Sequence, residues 1–161
     1  MAAFAGVDHV GLVVTDLEAS VRFYTEVLGF VEVMDVGYAR LLMHPGTGFV
    51  LGVSHPEGAR GGRFSELATG LDHLGLTAAS REELEEWQRW FDERGVEYTP
   101  IRDMEFGYHL NFRDPDGIAL EFYAPGPLAL AAQEALMAGA TSKEQIAEFV
   151  AENVSPDYVP R

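Results

Sequence analysis

The sequence predicts an α+β fold made of two tandem βαβββ modules, and three observations carry that expectation. The stretch Val7-Asp8-His9-Val10-Gly11-Leu12 returns as Leu71-Asp72-His73-Leu74-Gly75-Leu76, at a constant offset of 64 residues. Each copy leads into apolar residues at helical spacing that stop at a glycine, Gly29 in the first half and Gly95 in the second. Glycine there accepts the left-handed conformation that closes a helix. Short strand-like runs separated by turn residues follow each helix, so both halves share one element order. A four-stranded sheet with a single helix has only one face covered, and two such modules can set their bare faces around a concave site. The duplicated core is expected over residues 1–125, as modules at about 6–55 and 70–125, with a helical tail at 126–161.

Residues 7–14 are rich in β-branched side chains and read as a strand. Thr15-Asp16 offers an N-cap for a helix carrying Leu17, Val21, Phe23, Tyr24 and Leu28. Residues 30–36, 38–43 and 49–53 follow as strands, the last two joined by Pro45-Gly46-Thr47-Gly48. Residues 55–69 form a linker in which Gly58, Gly61 and Gly62 leave the backbone much freedom to lose, so a mobile loop is expected. In the second half Ser80 and Glu83 have capping-box spacing ahead of Leu84, Trp87, Trp90 and Phe91. Strands are expected at 96–100, 108–112 and 118–123. The last two are joined through Asp114-Pro115-Asp116-Gly117, where proline presets φ and glycine takes a positive one. Beyond Pro125-Gly126-Pro127, residues 128–138 and 141–150 read as amphipathic helices, with packing on the sheet or a neighbouring subunit as their expected role.

Composition narrows the function classes. Eleven basic against 26 acidic residues give a formal net charge of −15, and Lys143 is the single lysine. Nucleic acid and anionic membrane surfaces are poor partners for such a chain. There is no cysteine, which removes disulfides, thiolate metal sites and a thiol nucleophile. No apolar run reaches the roughly 18 residues of a membrane span, and the first residues lack the basic and long apolar regions of a signal peptide. Cytoplasm is the expected compartment.

Glu121 is the odd residue of its strand, a carboxylate between Leu120 and Phe122. It must face water, pair with a cation or bind a metal, because burying it alone is too costly. His9 and His73 hold the same position in the first strand of each half, each with a glycine two residues on that removes bulk on the same face. A single strand histidine is ordinarily a core or surface residue; two at equivalent positions of a duplication point to ligands. Two neutral imidazoles and one carboxylate form a facial triad with open positions, suited to Fe(II) or Mn(II) and compatible with Zn(II) or Ni(II).

These stretches resemble the vicinal oxygen chelate superfamily, the group of glyoxalase I, fosfomycin-resistance, bleomycin-resistance and extradiol dioxygenase proteins. The resemblance rests on Asp8 to Leu12, Tyr24 to Phe30, Asp72 to Leu76 and Asp114-Pro115-Asp116-Gly117 through Glu121, and covers about residues 6–125. It implies βαβββ halves, a divalent metal binding substrate oxygens, and His9, His73 and Glu121 as the metal positions. One departure matters. Glyoxalase I enzymes take a fourth ligand from the last strand of the first half, and Leu51-Gly52-Val53 sets Gly52 against Glu121. His55 is a weak substitute, opposite in phase and at the strand end. A phosphonate substrate would want clustered cationic groups, and the single lysine, Lys143, lies outside this core.

Strand alternation supplies further candidates. His109, Asn111 and Arg113 share one face, with His109 either an acid/base or a hydrogen-bonded wall residue. Asn111 and Arg113 are candidate substrate-binding residues, Arg113 pairing with an anionic substrate or merely with Asp116. Tyr123 shares the face of Glu121 and is a second candidate catalytic group. The expectation is a metal-dependent dioxygenase or glyoxalase-type lyase acting on a small molecule with adjacent oxygens. It would be a homodimer, its cleft within a chain or across a swapped pair. The alternative is a non-catalytic antibiotic- or metabolite-binding protein.

Overall fold

The computed structural model describes residues 6–155 and Tyr158. The first five residues and the other residues after 155, which include the end of the expected tail, lie outside the described part. The chain divides into two compact units, residues 1–70 with 113–118, and residues 71–112 with 119–161.

In the first unit, β1 (His9–Val13) leads to α1 (Leu17–Arg22), capped by Asp16, whose side chain accepts from the Ala19 N–H. The single helix expected up to Leu28 instead widens into a π-helical turn at Phe23–Val27. The Phe30 N–H reaches back to the Tyr24 carbonyl at 3.0 Å across Gly29, whose φ is +75°. That closure lies one residue further back than an α-helical end would give, and the wider turn absorbs the difference. Strands β2 (Val31–Asp35), β3 (Ala39–Met43) and β4 (Val50–Ser54) complete a sheet of order β1-β4-β3-β2. Leu12, Val14, Leu42, Leu51 and Val53 form its buried face, together with Val21, Tyr24 and Leu28 of the helical segment. On the other face His9, Gly11 and Val13 are exposed. Arg40, 12 % exposed, is neutralised by Glu18 at 3.1 Å, Glu32 at 3.7 Å and Asp35 at 2.6 Å.

The Asp-Pro-Asp-Gly turn belongs to this first unit and works through its side chains. Asp114 Oδ1 accepts the N–H groups of Asp116 and Ile118, and its Oδ2 accepts the Tyr24 hydroxyl at 3.0 Å. Asp116 in turn accepts from the Thr15 N–H at 2.9 Å and from the Thr15 hydroxyl. The expected mobile linker is pinned here at its later part, where the Phe64 N–H donates to the Asp116 carbonyl and Arg113 pairs with Glu66.

The second unit repeats the plan. It contains β5 (Leu74–Thr77), α2 (Arg81–Arg94), β6 (Arg102–Met104), β7 (Gly107–Arg113) and β8 (Ala119–Pro125), in the order β5-β8-β7-β6. This is the strand permutation of the first sheet. Ser80 caps α2 and Gly95 ends it at φ +65°. Trp87, Phe91, Phe112 and Phe122 stack between helix and sheet, with ring centroids 4.4 Å apart for Trp87–Phe122 and 4.8 Å for Phe91–Phe112. The strand expected at 96–100 is reduced to one bridge, Tyr98 to Phe112, and β6 starts only at Arg102. Pro100 has no N–H to give a ladder, which accounts for the gap. Helices α3 (Pro127–Met137) and α4 (Lys143–Asn153) follow and belong to the second unit, the latter with a full Ser142–Gln145 capping box. No described helix is long and apolar enough to cross a membrane.

Tyr24 offers a direct test of the turn network. Its hydroxyl is held well above the ordinary phenol range, by burial first and by the Asp114 carboxylate next. A raised phenol stabilises the fold below its unfolded-state value and loses that contribution as pH climbs through the folded-state value. Tyr24→Phe leaves Asp114 Oδ2 without this donor, so urea denaturation at pH 7 should show a loss of about 1–3 kcal/mol. Above about pH 10, wild type should lose stability along a limb that the variant lacks.

Candidate functional site

Strand alternation puts Glu121 on the face opposite the aromatic core, between Leu120 (0 % exposed) and Phe122 (6 %). Its own side chain is only 12 % exposed, so its charge needs partners. Two imidazoles approach it, and one of them, His109, is hydrogen-bonded to it. His109 Nδ1 lies 2.7 Å from Oε1, and His73 Nε2 lies 3.6 Å from Oε2. Gly75 is the register partner of Glu121 on the neighbouring strand, and a Cβ there would already touch Oε2 at 4.0 Å. Glycine at 75 therefore leaves the carboxylate lateral room.

The histidines are themselves oriented, in the same way in both halves. Asp72 Oδ1 lies 2.5 Å from His73 Nδ1, and Asp8 Oδ2 lies 2.9 Å from His9 Nδ1. A carboxylate on Nδ1 fixes the proton there and leaves Nε2 free to donate its lone pair, the usual support for a metal-ligating histidine. Sequence reading passed over these aspartates, although the repeated Asp-His pair was the signal for them. Ligand atoms held 2.0–2.2 Å from one ion sit about 3–3.5 Å apart, so His73 Nε2 and Glu121 Oε2 are near the spacing of two donors to one cation. His9 belongs to the first unit. Among the described residues no three His, Asp or Glu side chains form a ready-made metal cluster.

The remaining candidates are distributed as follows. Tyr123 stacks on His109 with centroids 4.9 Å apart, and its hydroxyl donates to the Phe106 carbonyl at 2.7 Å. Burial, and then the Glu121 charge, hold that hydroxyl above its ordinary value. Asn111 is half-buried on the face it shares with His109, and its carbonyl accepts from the Thr99 N–H. Arg113 pairs with Glu66, not Asp116, and donates to the Gly117 carbonyl at 3.1 Å, within the first unit. The strand registers also locate the counterpart of Glu121 in the first half. Gly11 pairs with Gly52 as Gly75 pairs with Glu121, so Gly52 is the counterpart of Glu121. His55 Nδ1 is engaged by the Val14 carbonyl at 2.6 Å.

A cavity of about 600 Å³ opens in the second unit beside Glu121 and His109. Its walls include Leu76, Met104, Phe106 and the Tyr123 ring. The turn between β6 and β7 is fixed to the end of β8, since the Phe106 carbonyl also accepts the Gly126 N–H at 2.8 Å.

The chain belongs to the Glyoxalase/Bleomycin resistance protein/Dioxygenase superfamily, whose family model matches residues 6–122. Among solved structures it is similar to a glyoxylase/bleomycin resistance protein/dioxygenase domain from Frankia sp. EAN1pec, at 33 % identity and a TM-score of 0.70 over 77 % of this chain and 100 % of that one. It is also similar to an integron cassette protein from the mobile metagenome of a Halifax Harbour sewage outfall, at 26 % identity and a TM-score of 0.61, covering 75 % of this chain and 99 % of that one. A variant of the fosfomycin resistance protein FosX from Listeria monocytogenes shares the fold at 20 % identity and a TM-score of 0.61, over 77 % of this chain and 93 % of that one. That protein was solved with Mn(II) and 1S,2S-dihydroxypropylphosphonic acid. No curated protein sequence matches the chain.

Gly107 is where the wall of the cavity depends on a missing side chain. A Cβ there would collide with the Ala124 carbonyl and lie 2.7 Å from the Tyr123 ring. Gly107→Ala should cost about 1–3 kcal/mol, the usual range for overpacking, read as a lower melting temperature. It should also change the near-ultraviolet circular dichroism signal of Tyr123.

Proposed function

We propose that this chain is a metal-dependent enzyme whose small substrate chelates a divalent cation through two adjacent oxygens. His9, His73 and Glu121 would hold the ion, with Fe2+ or Mn2+ ahead of Zn2+ or Ni2+. Extradiol-type ring cleavage is placed first and glyoxalase- or lyase-type chemistry second, because Gly52 provides no fourth ligand. The observation that carries the reading is the approach of His73 Nε2 to Glu121 Oε2 at 3.6 Å, with Asp72 on the opposite nitrogen of the same ring. The donor types fit a hard-to-borderline cation. The bound ion would act as a Lewis acid toward the substrate oxygens.

The protein's own groups have separable tasks in this reading. Asp8 and Asp72 hold the protons of His9 and His73 on Nδ1. His109 holds Oε1 of Glu121 and so turns Oε2 toward His73; from the same place it can exchange a proton with substrate. Tyr123 fixes the His109 ring by stacking. Asn111 remains a candidate for contact with substrate, and Arg113 is better suited to holding the turn. The setting proposed is a cytoplasmic homodimer with a small-molecule substrate and no nucleic-acid or membrane partner, in keeping with the net charge of −15.

Metal content, melting temperature and turnover on catechols and on α-keto hemithioacetals should be compared for wild type, His9→Ala, His73→Ala and Glu121→Gln. Wild type should take up one ion per chain, and each variant should lose it while keeping a melting temperature near that of the metal-free wild type. Full occupancy in the variants would overturn the assignment. Collapse of the metal-free protein would make the ion structural, since structural zinc contributes on the order of 10 kcal/mol. His109→Ala should weaken metal affinity about 10- to 100-fold, as removal of a ligand's hydrogen-bond partner typically does, measured by calorimetric titration.

A further inference from the structure

We infer that Met104 and Phe106 form a rigid apolar platform for the body of the substrate. The substrate class is then a neutral ring- or alkyl-bearing compound, rather than a phosphonate or another anion. That such a compound also carries adjacent oxygens rests on the metal-dependent reading above. Phe106 is 55 % exposed and Met104 46 %, both on the turn beside the half-buried Glu121 and His109. Large apolar side chains kept in water next to convergent polar groups mark a ligand surface.

The platform is preorganised. The Phe106 carbonyl is held by the Tyr123 hydroxyl and the Gly126 N–H, and Gly107 packs against the Ala124 carbonyl and the Tyr123 ring. Strands β6 and β7 pair right up to the turn, Arg102 with His109 and Met104 with Gly107. A fixed surface gives up little entropy when a ligand settles on it. The charge around the cavity is one-sided. Among the described residues its charged lining is Glu105 and Glu121, with no lysine or arginine. Away from the ion proposed at Glu121, an anionic substituent would meet Glu105 and no lysine or arginine, whereas an alkyl or aryl group would leave water for Leu76, Met104 and Phe106.

The test uses the full chain loaded with redox-inert Zn2+ and calorimetric titration with catechol, 4-tert-butylcatechol and methylphosphonate. Wild type should bind 4-tert-butylcatechol at least about tenfold more tightly than catechol, as burial of several methyl groups allows. It should bind methylphosphonate more weakly than 4-tert-butylcatechol. Phe106→Ala should bring the two catechols to within about threefold, and Met104→Gln should act in the same direction; neither exposed side chain supports the core. Equal catechol affinities in wild type, or preferred binding of methylphosphonate, would overturn the platform. So would a Phe106→Ala variant that changes oligomeric state while the ratio stays intact. A fourth probe, 4-tert-butylphenol, separates the two readings. Phe106-dependent binding of this phenol to metal-free protein, with no gain for catechols from Zn2+, would leave the platform standing and sink the chelation reading. Metal-dependent catechol binding that ignores the tert-butyl group would do the reverse.

Discussion

Holding a carboxylate out of water costs several kcal/mol unless its oxygens find partners, and the second unit is arranged around that requirement at Glu121. One oxygen takes the hydrogen bond of His109 and the other looks toward His73. Tyr123 stacks on the His109 ring and its hydroxyl anchors the Phe106 carbonyl, so the carboxylate, the imidazole and the turn are linked through one chain of contacts. Glu121 is therefore both the costliest group on its strand and the one that orders its neighbours. The first unit solves the same problem at Asp114, with backbone N–H groups and a buried phenol in place of imidazoles. Two carboxylates seven residues apart thus have different uses. Asp114 is saturated by short donors and fixes a turn, while Glu121 keeps one oxygen available.

Much of this was legible in the sequence because a duplication supplies its own control. The repeated Asp-His-aliphatic-Gly-Leu stretch located β1 and β5, and the paired glycines located both helix ends. The alternation at 108–113 correctly separated Leu110 and Phe112, now buried, from His109, Asn111 and Arg113 on the other face. The comparison of Leu51-Gly52-Val53 with Leu120-Glu121-Phe122 is matched by the strand registers.

What stayed hidden depends on contacts between residues far apart in the chain. Nothing near Tyr24 announces that its hydroxyl belongs to Asp114, 90 residues away. Arg113 was expected to meet an anionic substrate or Asp116, and its partner is instead Glu66, 47 residues back in the chain. The π-helical turn and the lost strand at 96–100 are local failures of another kind. Helical periodicity cannot register one extra residue in a turn, and the effect of Pro100 on a ladder depends on which edge it meets.

The pairing of Gly11 with Gly52 has a consequence for how such chains diverge. Because position 52 lies in a regular strand register, on a face that the first unit's own helix does not cover, a side chain can be gained or lost there with little disturbance to the core. A single codon at that place would add or remove a polar side chain on this face, while the strand register and the buried face stay as they are. Under the metal reading proposed above, duplication followed by such one-sided edits would let a two-fold scaffold change its donor count while both halves keep their core.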